Sequence, residues 1–393
     1  MHYDTYHEQL SAYTHWWRST PPEVRSTTLH PQIINARQQS HWFQLHDLDP
    51  QNPIPTQAPL ITRTMLQQHA GAFIGDLKSI THGGYLGRTS GTTGDPVDVW
   101  MCAWSLAHYY LHLEYALSLS HFPLPSKPNI LYLSIATKAH TFSEPAPLWD
   151  ATILRHDSTS VEEAIKTINS FKTNILSLTP FELKSLLQHP TKLPHVEIII
   201  STSGYLHPDL IDALHHHLPD TLLINSYGLS EIGPVAIQCP HSPQEIWHIP
   251  PGSSIVERMT DNALVVTTLR NRAMPLTRYV TGDAVAHVIN AHTCPHCDHH
   301  GQSFQNLTGR ALHTFYTSNN QQRSAVLWLR VLNDPTHHVL NHHISQPMPG
   351  HLSIHCLVPH TQGTPQLDQL HASLRAQDPH MHITLTYDTL KHM

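Results

Sequence analysis

The sequence predicts an α/β protein. A large domain over residues 1–309 has mostly parallel sheets covered by helices plus an antiparallel, barrel-like appendage, and a small, reduced α+β domain fills 310–393. Three observations carry this. From Pro128 short apolar runs alternate with helical patterns, after about Pro250 strand patterns follow one another without helices, and 310–393 offers a strand and helix set of its own.

The chain opens as helices and loops, with Pro-rich connections around Pro50–Pro59. Within Leu60–Phe73 a helix begins, because Thr62 or Thr64 can cap it and Met65, Leu66 and His69 share a face. Ile130–Ile135 is a buried-type strand. Val161, Ala164, Ile165 and Ile168 give Val161–Phe171 helical spacing. Asn174–Leu178 is a strand, Phe181–Gln188 a helix, Val196–Ser201 a strand and Asp209–His217 a helix. Leu222–Asn225 is then a strand leading into Tyr227. Such alternation implies a parallel sheet with helices on both faces. Ser254–Arg258, Ala263–Leu269 and Ala284–Ile289 read as strands of the appendage. Residues 310–393 offer strands at Ala325–Val331, Leu352–Leu357 and His382–Tyr387 and a helix at Leu367–Leu374.

Composition narrows the function. The apolar share of 39% and charged share of 13% over 393 residues fit a globular protein. A net charge of -7 without a basic run argues against nucleic acid as a partner. Apolar stretches such as Asn129–Ala136 fall well short of the roughly 20 residues of a spanning helix, so no membrane partner is expected. The polar start (Tyr3, Asp4, His7, Glu8) does not read as a signal peptide, and 5 cysteines do not read as a disulfide framework. A reducing cytoplasm is the expected location. The 38 histidines are spread along the chain, so a His beside any motif carries little information.

Four segments point to chemistry. Thr89-Ser90-Gly91-Thr92-Thr93-Gly94 combines small residues, hydroxyls and backbone N–H groups that suit phosphate oxygens, although it lacks a P-loop ending. Asn225-Ser226-Tyr227-Gly228-Leu229-Ser230-Glu231 follows a predicted parallel strand, at the edge where open α/β sheets bind ligands. An aromatic there can stack on a base, and a carboxylate can hold Mg²⁺ beside phosphates. Pro275–Asp283 ends in a Thr-Gly-Asp turn whose carboxylate could accept two ribose hydroxyls, and Gly309-Arg310 comes last. Each segment alone is compatible with an ordinary turn.

In this order and spacing the four resemble the core motifs of the adenylate-forming, AMP-binding enzyme superfamily, in wording closest to its phenylacetate–coenzyme A ligase branch. The resemblance spans residues 40–310. It implies that Ser90, Gly91, Thr92, Thr93 and Gly94 grip the phosphates of ATP, with Thr92 catalytic. It further implies that Tyr227, beside Gly228, stacks on adenine and that Glu231 binds Mg²⁺ and is catalytic. Asp283 would hold the ribose, and Arg310 would act near it at the domain junction. The implied reaction activates a small, aromatic carboxylic acid as an acyl-adenylate and passes it to coenzyme A or to a carrier-protein thiol. Positioning and charge neutralisation carry such chemistry, without a side-chain nucleophile.

Cys294-Pro295-His296-Cys297 is a two-thiolate hook, with Cys239 upstream. Members of the branch carry a comparable Cys/His set. His248 best matches the position of its histidine, with His241 as the competitor, so a structural zinc on Cys239, His248, Cys294 and Cys297 is expected.

Three features depart from the family. Asp95-Pro96 stands where a Lys precedes Pro, Ala311-Leu312-His313 replaces an acidic hinge, and Lys391 is the single lysine of the final stretch, outside a Gly-Lys context. A second hypothesis follows: a catalytically impaired relative that binds nucleotide or a partner within a biosynthetic assembly. The acid pocket is expected among Tyr132–Trp149, Thr179–Phe181, Ser203–Tyr205 and Ile232–Pro234. The acid, the acceptor and the oligomeric state are not encoded in any motif.

Overall fold

The computed structural model describes residues 3–53, 55–81, 84–88, 97–135, 140–146, 148–189, 192–242, 245–308, 314–319, 321–324, 328, 331–332, 337, 339, 341–359 and 364–390. The chain divides into two compact units. One comprises 1–127, 145–151 and 224–308, and the other 128–144, 152–223 and 309–393.

The first unit begins with helices α1 (Tyr3–Ser19), α2 (Pro22–Thr27), α3 (Pro31–Gln39), α4 (His41–Leu45), α5 (Arg63–His69) and α6 (Leu77–Thr81). Thr62 caps α5 by accepting from Met65 N at 3.3 Å, so the first of the two expected caps is the one used. Strands β1 (Tyr85–Arg88) and β2 (Asp98–Met101) form an antiparallel pair, and helix α7 (Ala103–Leu119) follows. Buried residues ring most of α7, including Trp104, His108, Leu111 and His112. Neither ring nitrogen of His108 has a hydrogen-bond partner among the described residues.

That burial has a pH consequence. Burial, then the charge of Arg270, pushes His112 down to about 3, and the same causes hold His108 well below its ordinary 6.5. His30, the α3 cap, is pushed down to about 4 by burial and then Arg272. All three are neutral when folded and protonate more readily when unfolded. Their contribution is therefore complete above about pH 6.5 and declines as pH falls towards 4. The expected result is a melting temperature that drops over this window, with His108→Leu flattening the drop. Thermal scans at pH 7.5 and 5 measure it, and equal slopes for variant and wild type would contradict it.

Strands β3 (Asn129–Ile135), β4 (His140–Pro145) and β5 (Thr152–Ser158), helix α8 (Val161–Ser170), strand β6 (Ile175–Leu178), helix α9 (Pro180–Leu187), strand β7 (Ile198–Ser201) and helix α10 (Pro208–His217) come next. β3 runs parallel to β5 and β6, and β6 parallel to β7, in the order β7–β6–β3–β5–β4. Helix α9 starts where it does because Thr179 and Glu182 form a capping box around Pro180, a residue that suits the first helical turn. Leu131, Ala164, Ile168, Leu176, Leu183 and Ile199 form the core of this α/β layer. Each large aliphatic among them contributes about 1.5–3 kcal/mol of burial. β4 and β5 escaped the sequence reading because their runs, His140–Pro145 and Thr152–Ser158, are largely polar.

From β8 (Leu222–Leu229) the chain is all strand: β9 (Gly233–Gln238), β10 (Ile246–His248), β11 (Ser254–Arg258), β12 (Ala263–Thr268), β13 (Tyr279–Thr293) and β14 (His300–Thr308). Every ladder among these is antiparallel. This corrects one expectation. Tyr227 lies inside β8 rather than after it, opposite Ala236 in an antiparallel pair. A register shift follows at Gly228, where a Cβ would stand 2.5 Å from Gly233 O, so only glycine lets β8 and β9 close.

The C-terminal residues give strands β15 (Thr314–Tyr316), β16 (Gln322–Ser324), β17 (Asn341–Met348) and β18 (His351–Pro359), helix α11 (Thr364–Ala376) and strand β19 (His382–Leu390). β17 pairs antiparallel and β19 parallel to β18, with α11 as the crossover. Of the expected strand Ala325–Val331, the described residues Trp328 and Val331 are helical, as is Leu332 just beyond it; the other positions of that range lie outside the described residues. The i, i+3, i+4 spacing of Trp328, Val331 and Leu332 puts all three in a core with Ile354 and Leu370, which outweighs the β-propensity of the run. Among the described residues no helix is long and apolar enough to cross a membrane.

Candidate functional site

Two buried carboxylates in the first unit form the centre of the site. Glu231, 3% exposed, lies just past β8, and its Oε1 accepts from Arg63 Nη1 at 2.6 Å and from Tyr279 Oη at 3.3 Å. Asp283 lies on β13 beside Gly282, whose φ of 85° turns the strand, and its N–H donates to Thr281 Oγ1 at 3.1 Å. Tyr227 donates its hydroxyl to Asp283 Oδ2 at 2.7 Å. Tyr227 thus ties the second sequence motif to the third, and Tyr279 ties the third back to the second.

The frame around these groups is rigid. Tyr227 packs edge-on against Trp247 and Phe304, with ring centroids 6.2 and 5.7 Å away. Ser226 bonds His112 Nε2 at 3.2 Å. Arg270, buried, donates to Ile232 O at 2.6 Å, to Pro234 O, to Ser253 O at 2.9 Å and to Ser254 Oγ at 2.7 Å. It thereby fixes the segment that follows Glu231. Burial pushes Arg270 down to about 10, and these neutral acceptors keep the guanidinium supplied with partners.

Of the residues named from the sequence, Tyr227, Gly228, Glu231 and Asp283 come together here. Ser90, Gly91, Thr92, Thr93, Gly94 and Arg310 lie outside the described residues, as do Asp95-Pro96, Ala311–His313 and Lys391. Sequence reasoning missed Arg63 and the bond from Tyr279. Arg63 sits 168 positions from its partner at the start of α5, and no spacing rule links them. Tyr279 stood within a quoted motif without a role.

A second cluster lies in the same unit. Ligand atoms of Cys239, His248, Cys294 and Cys297 all lie within 4.8 Å of one another. Cys239 follows β9 and His248 ends β10, while Cys294 and Cys297 occupy the turn between β13 and β14. Cys239 Sγ is 3.9 Å from Cys294 Sγ and 3.8 Å from Cys297 Sγ, and His248 Nε2 is 3.4 Å from Cys297 Sγ. A tetrahedral centre with metal–sulfur bonds of about 2.3 Å and a metal–nitrogen bond of about 2.0 Å needs sulfurs about 3.8 Å apart and nitrogen about 3.5 Å from sulfur. The donor set fits. His248 Nδ1 is held by Ser303 Oγ at 2.9 Å, which leaves Nε2 directed at the sulfurs. The histidine of the cluster is therefore His248 rather than His241. His299 stacks on His248 at 4.1 Å and is itself held by the Tyr115 hydroxyl at 2.6 Å. Burial pushes the Cys297 thiol up to about 12, so an enclosed cation is what would hold these sulfurs as thiolates.

Residues 85–257 match the AMP-binding enzyme family. No curated protein matches the chain. Solved structures are similar in fold. 2-Hydroxyisobutyryl-CoA ligase, in the postadenylation state with 2-HIB-AMP, has 10% identity and a TM-score of 0.65, over 93% of this chain and 88% of that one. The same ligase with 2-HIB-AMP and CoA, in the thioesterification state, has 11% identity and a TM-score of 0.57, over 98% and 87%. O-succinylbenzoate coenzyme A synthetase from Bacillus subtilis, with ATP and magnesium, has 15% identity and a TM-score of 0.51, over 77% and 66%. The chain has the fold of adenylate-forming ligases.

Proposed function

From an AMP-binding enzyme domain carried on the adenylate-forming ligase fold, we propose that the chain activates a small carboxylic acid with ATP and hands the acyl group to a thiol, as a phenylacetate–coenzyme A ligase-like member of that group. The observation that supports this best is the pairing of Glu231 and Asp283, two buried carboxylates cross-tied by Tyr279 and Tyr227. A pure scaffold has no need of two buried carboxylates tied to its motifs in this way.

In this reading Asp283 accepts the ribose hydroxyls and Tyr227 offers its ring to adenine. Ser90, Gly91, Thr92, Thr93 and Gly94 hold the phosphates, and Arg310 approaches the ribose. Glu231 would hold Mg²⁺, which neutralises phosphate charge when bound. The substrate carboxylate attacks the α-phosphorus, an acyl-adenylate forms and pyrophosphate leaves. A thiol of coenzyme A or a carrier protein then takes the acyl group and releases AMP. The similar ligase crystallised with its acyl-adenylate and CoA supports that order. Zinc on Cys239, His248, Cys294 and Cys297 has a structural role, since four protein donors fill a tetrahedral shell and leave no open position.

The test is pyrophosphate release with ATP, Mg²⁺ and a panel of aromatic and short aliphatic acids, with and without coenzyme A. Acid-dependent release is expected, with a further rise when coenzyme A is added. Silence across the panel in folded protein would favour the nucleotide- or partner-binding relative. One observation favours that second reading: both carboxylates already accept hydrogen bonds from protein donors, Arg63 and Tyr279 on Glu231 and Tyr227 on Asp283.

A further inference from the structure

The second unit holds a cavity of ≈ 270 Å³ where the parallel strands β3, β5 and β6 reach their C-terminal ends. Ligands bind at that edge of a parallel sheet, and the size suits a small molecule. The floor of the cavity is one face of the sheet. In one cross-strand row Tyr132 stands between Arg155 and Ser177, and in the next Ser134 stands opposite Asp157. All five residues line the cavity, and Phe142 of β4 lines it beside them.

Among the described residues of this wall Arg155 is the one arginine and Asp157 the one carboxylate. Arg155 has its guanidinium carbon 4.5 Å from the Tyr132 ring centre and 5.9 Å from that of Phe142, so two rings steady the cation. Its Nε donates to Glu144 Oε1, outside the wall, at 3.1 Å, which leaves the terminal amino groups as donors. Asp157 Oδ1 accepts from Ser134 Oγ at 2.6 Å, which leaves Oδ2 as an acceptor. Arg155 and Asp157 are two positions apart on β5, on the same face and about 6.6 Å from each other along the strand.

These two groups set the charge of a matching ligand. A neutral molecule would cover both without replacing their hydrogen bonds to water, which costs binding energy. A plain acid pairs with Arg155 but brings its charge close to Asp157, and a plain amine does the reverse. A carboxylate and an ammonium on one carbon satisfy both. Those two groups lie about 2.5 Å apart, and one charge-assisted hydrogen bond of about 2.8 Å at each end bridges the rest. A third charge would have no partner in the wall, whereas an apolar side chain can lie against Phe142, whose ring is 43% exposed.

We infer that this cavity binds a free α-amino acid with an apolar side chain, its carboxylate on Arg155 and its ammonium on Asp157. The second unit supplies every group of the site, so its occupancy does not depend on the acid-activation reading.

The experiment is calorimetric titration of the full chain without ATP. Phenylalanine is compared with 3-phenylpropionate and phenethylamine, and leucine with 4-methylpentanoate and isopentylamine. At least one of the two amino acids should bind the wild type at least about tenfold more tightly than both of its truncated partners, and than lysine or glutamate. Arg155→Gln should abolish the preference over the amine, and Asp157→Asn the preference over the acid. No binding of either amino acid, a truncated partner that binds as tightly, or preferences unchanged in both folded variants would overturn the inference. If a variant does not fold, the wild-type comparison decides alone. Absence of ATP–pyrophosphate exchange would count against acid activation and leave this result untouched.

Discussion

Cys297→Ser should leave the protein without zinc and markedly less stable. The expected wild-type content is one zinc per chain. The argument is geometric. Three sulfurs and one imidazole nitrogen from three separate chain segments meet at tetrahedral spacing, with His248 oriented by Ser303. A metal there joins the β9–β10 connection to the β13–β14 turn, so its binding energy is folding energy for the strands between. Small zinc domains gain about 10–16 kcal/mol in this way, but this region also has its own core around Trp247, Val256, Leu264 and Phe304. A smaller cost is expected, at least roughly 3 kcal/mol, which lowers the melting temperature on the order of 10 °C. Metal analysis and thermal scans with and without chelator measure both. Protein purified without chelator and found metal-free, or a Cys297→Ser variant that melts with the wild type, would remove the zinc assignment.

The cluster also shows what could be read from the chain. Cys-x-x-C is a local hook, visible because its two ligands lie in one turn. Cys239 and His248 arrive from another hairpin, and the choice between His248 and His241 depended on register: His248 ends β10, opposite Ser303 on β14. In a chain with 38 histidines nearness to the motif does not make that choice; the family resemblance favoured His248, and the register agrees with it. The same distinction runs through the fold. Strands and helices with clean periodicity, such as β3, α8 and β6, were legible. β4 and β5 were not, because polar residues fill them, and β5 is held by parallel pairing with β3, earlier in the chain. Trp328 and Val331 were misread because a short apolar run satisfies both periods until a core selects one. At the site, the carboxylates were legible as motifs. Their partners were not: Arg63 reaches Glu231 only through tertiary structure, and that pairing alters what a mutation there should do.

Glu231→Gln should lower acid-dependent ATP–pyrophosphate exchange at least about a hundredfold, equivalent to about 2.7 kcal/mol. The amide keeps the shape but loses the charge needed to hold a divalent cation beside phosphates. Sequence alone suggests little change in stability, since the replacement is nearly isosteric. The structure adds a cost, because Arg63, whose side chain is 20% exposed, would lose its anionic partner at 2.6 Å. Removing one member of a fully buried pair costs about 3–5 kcal/mol, and partial solvation of Arg63 reduces this to about 1–3 kcal/mol. A cycle with Arg63→Gln separates the two effects. If Glu231 holds the metal, Arg63→Gln should lose comparable stability but much less activity, and the double variant should be as inactive as Glu231→Gln alone. Equal losses of activity in both single variants, with no further loss in the double, would make the pair a clamp on the site and withdraw Glu231 as a metal ligand. Wild-type exchange by Glu231→Gln would withdraw it outright.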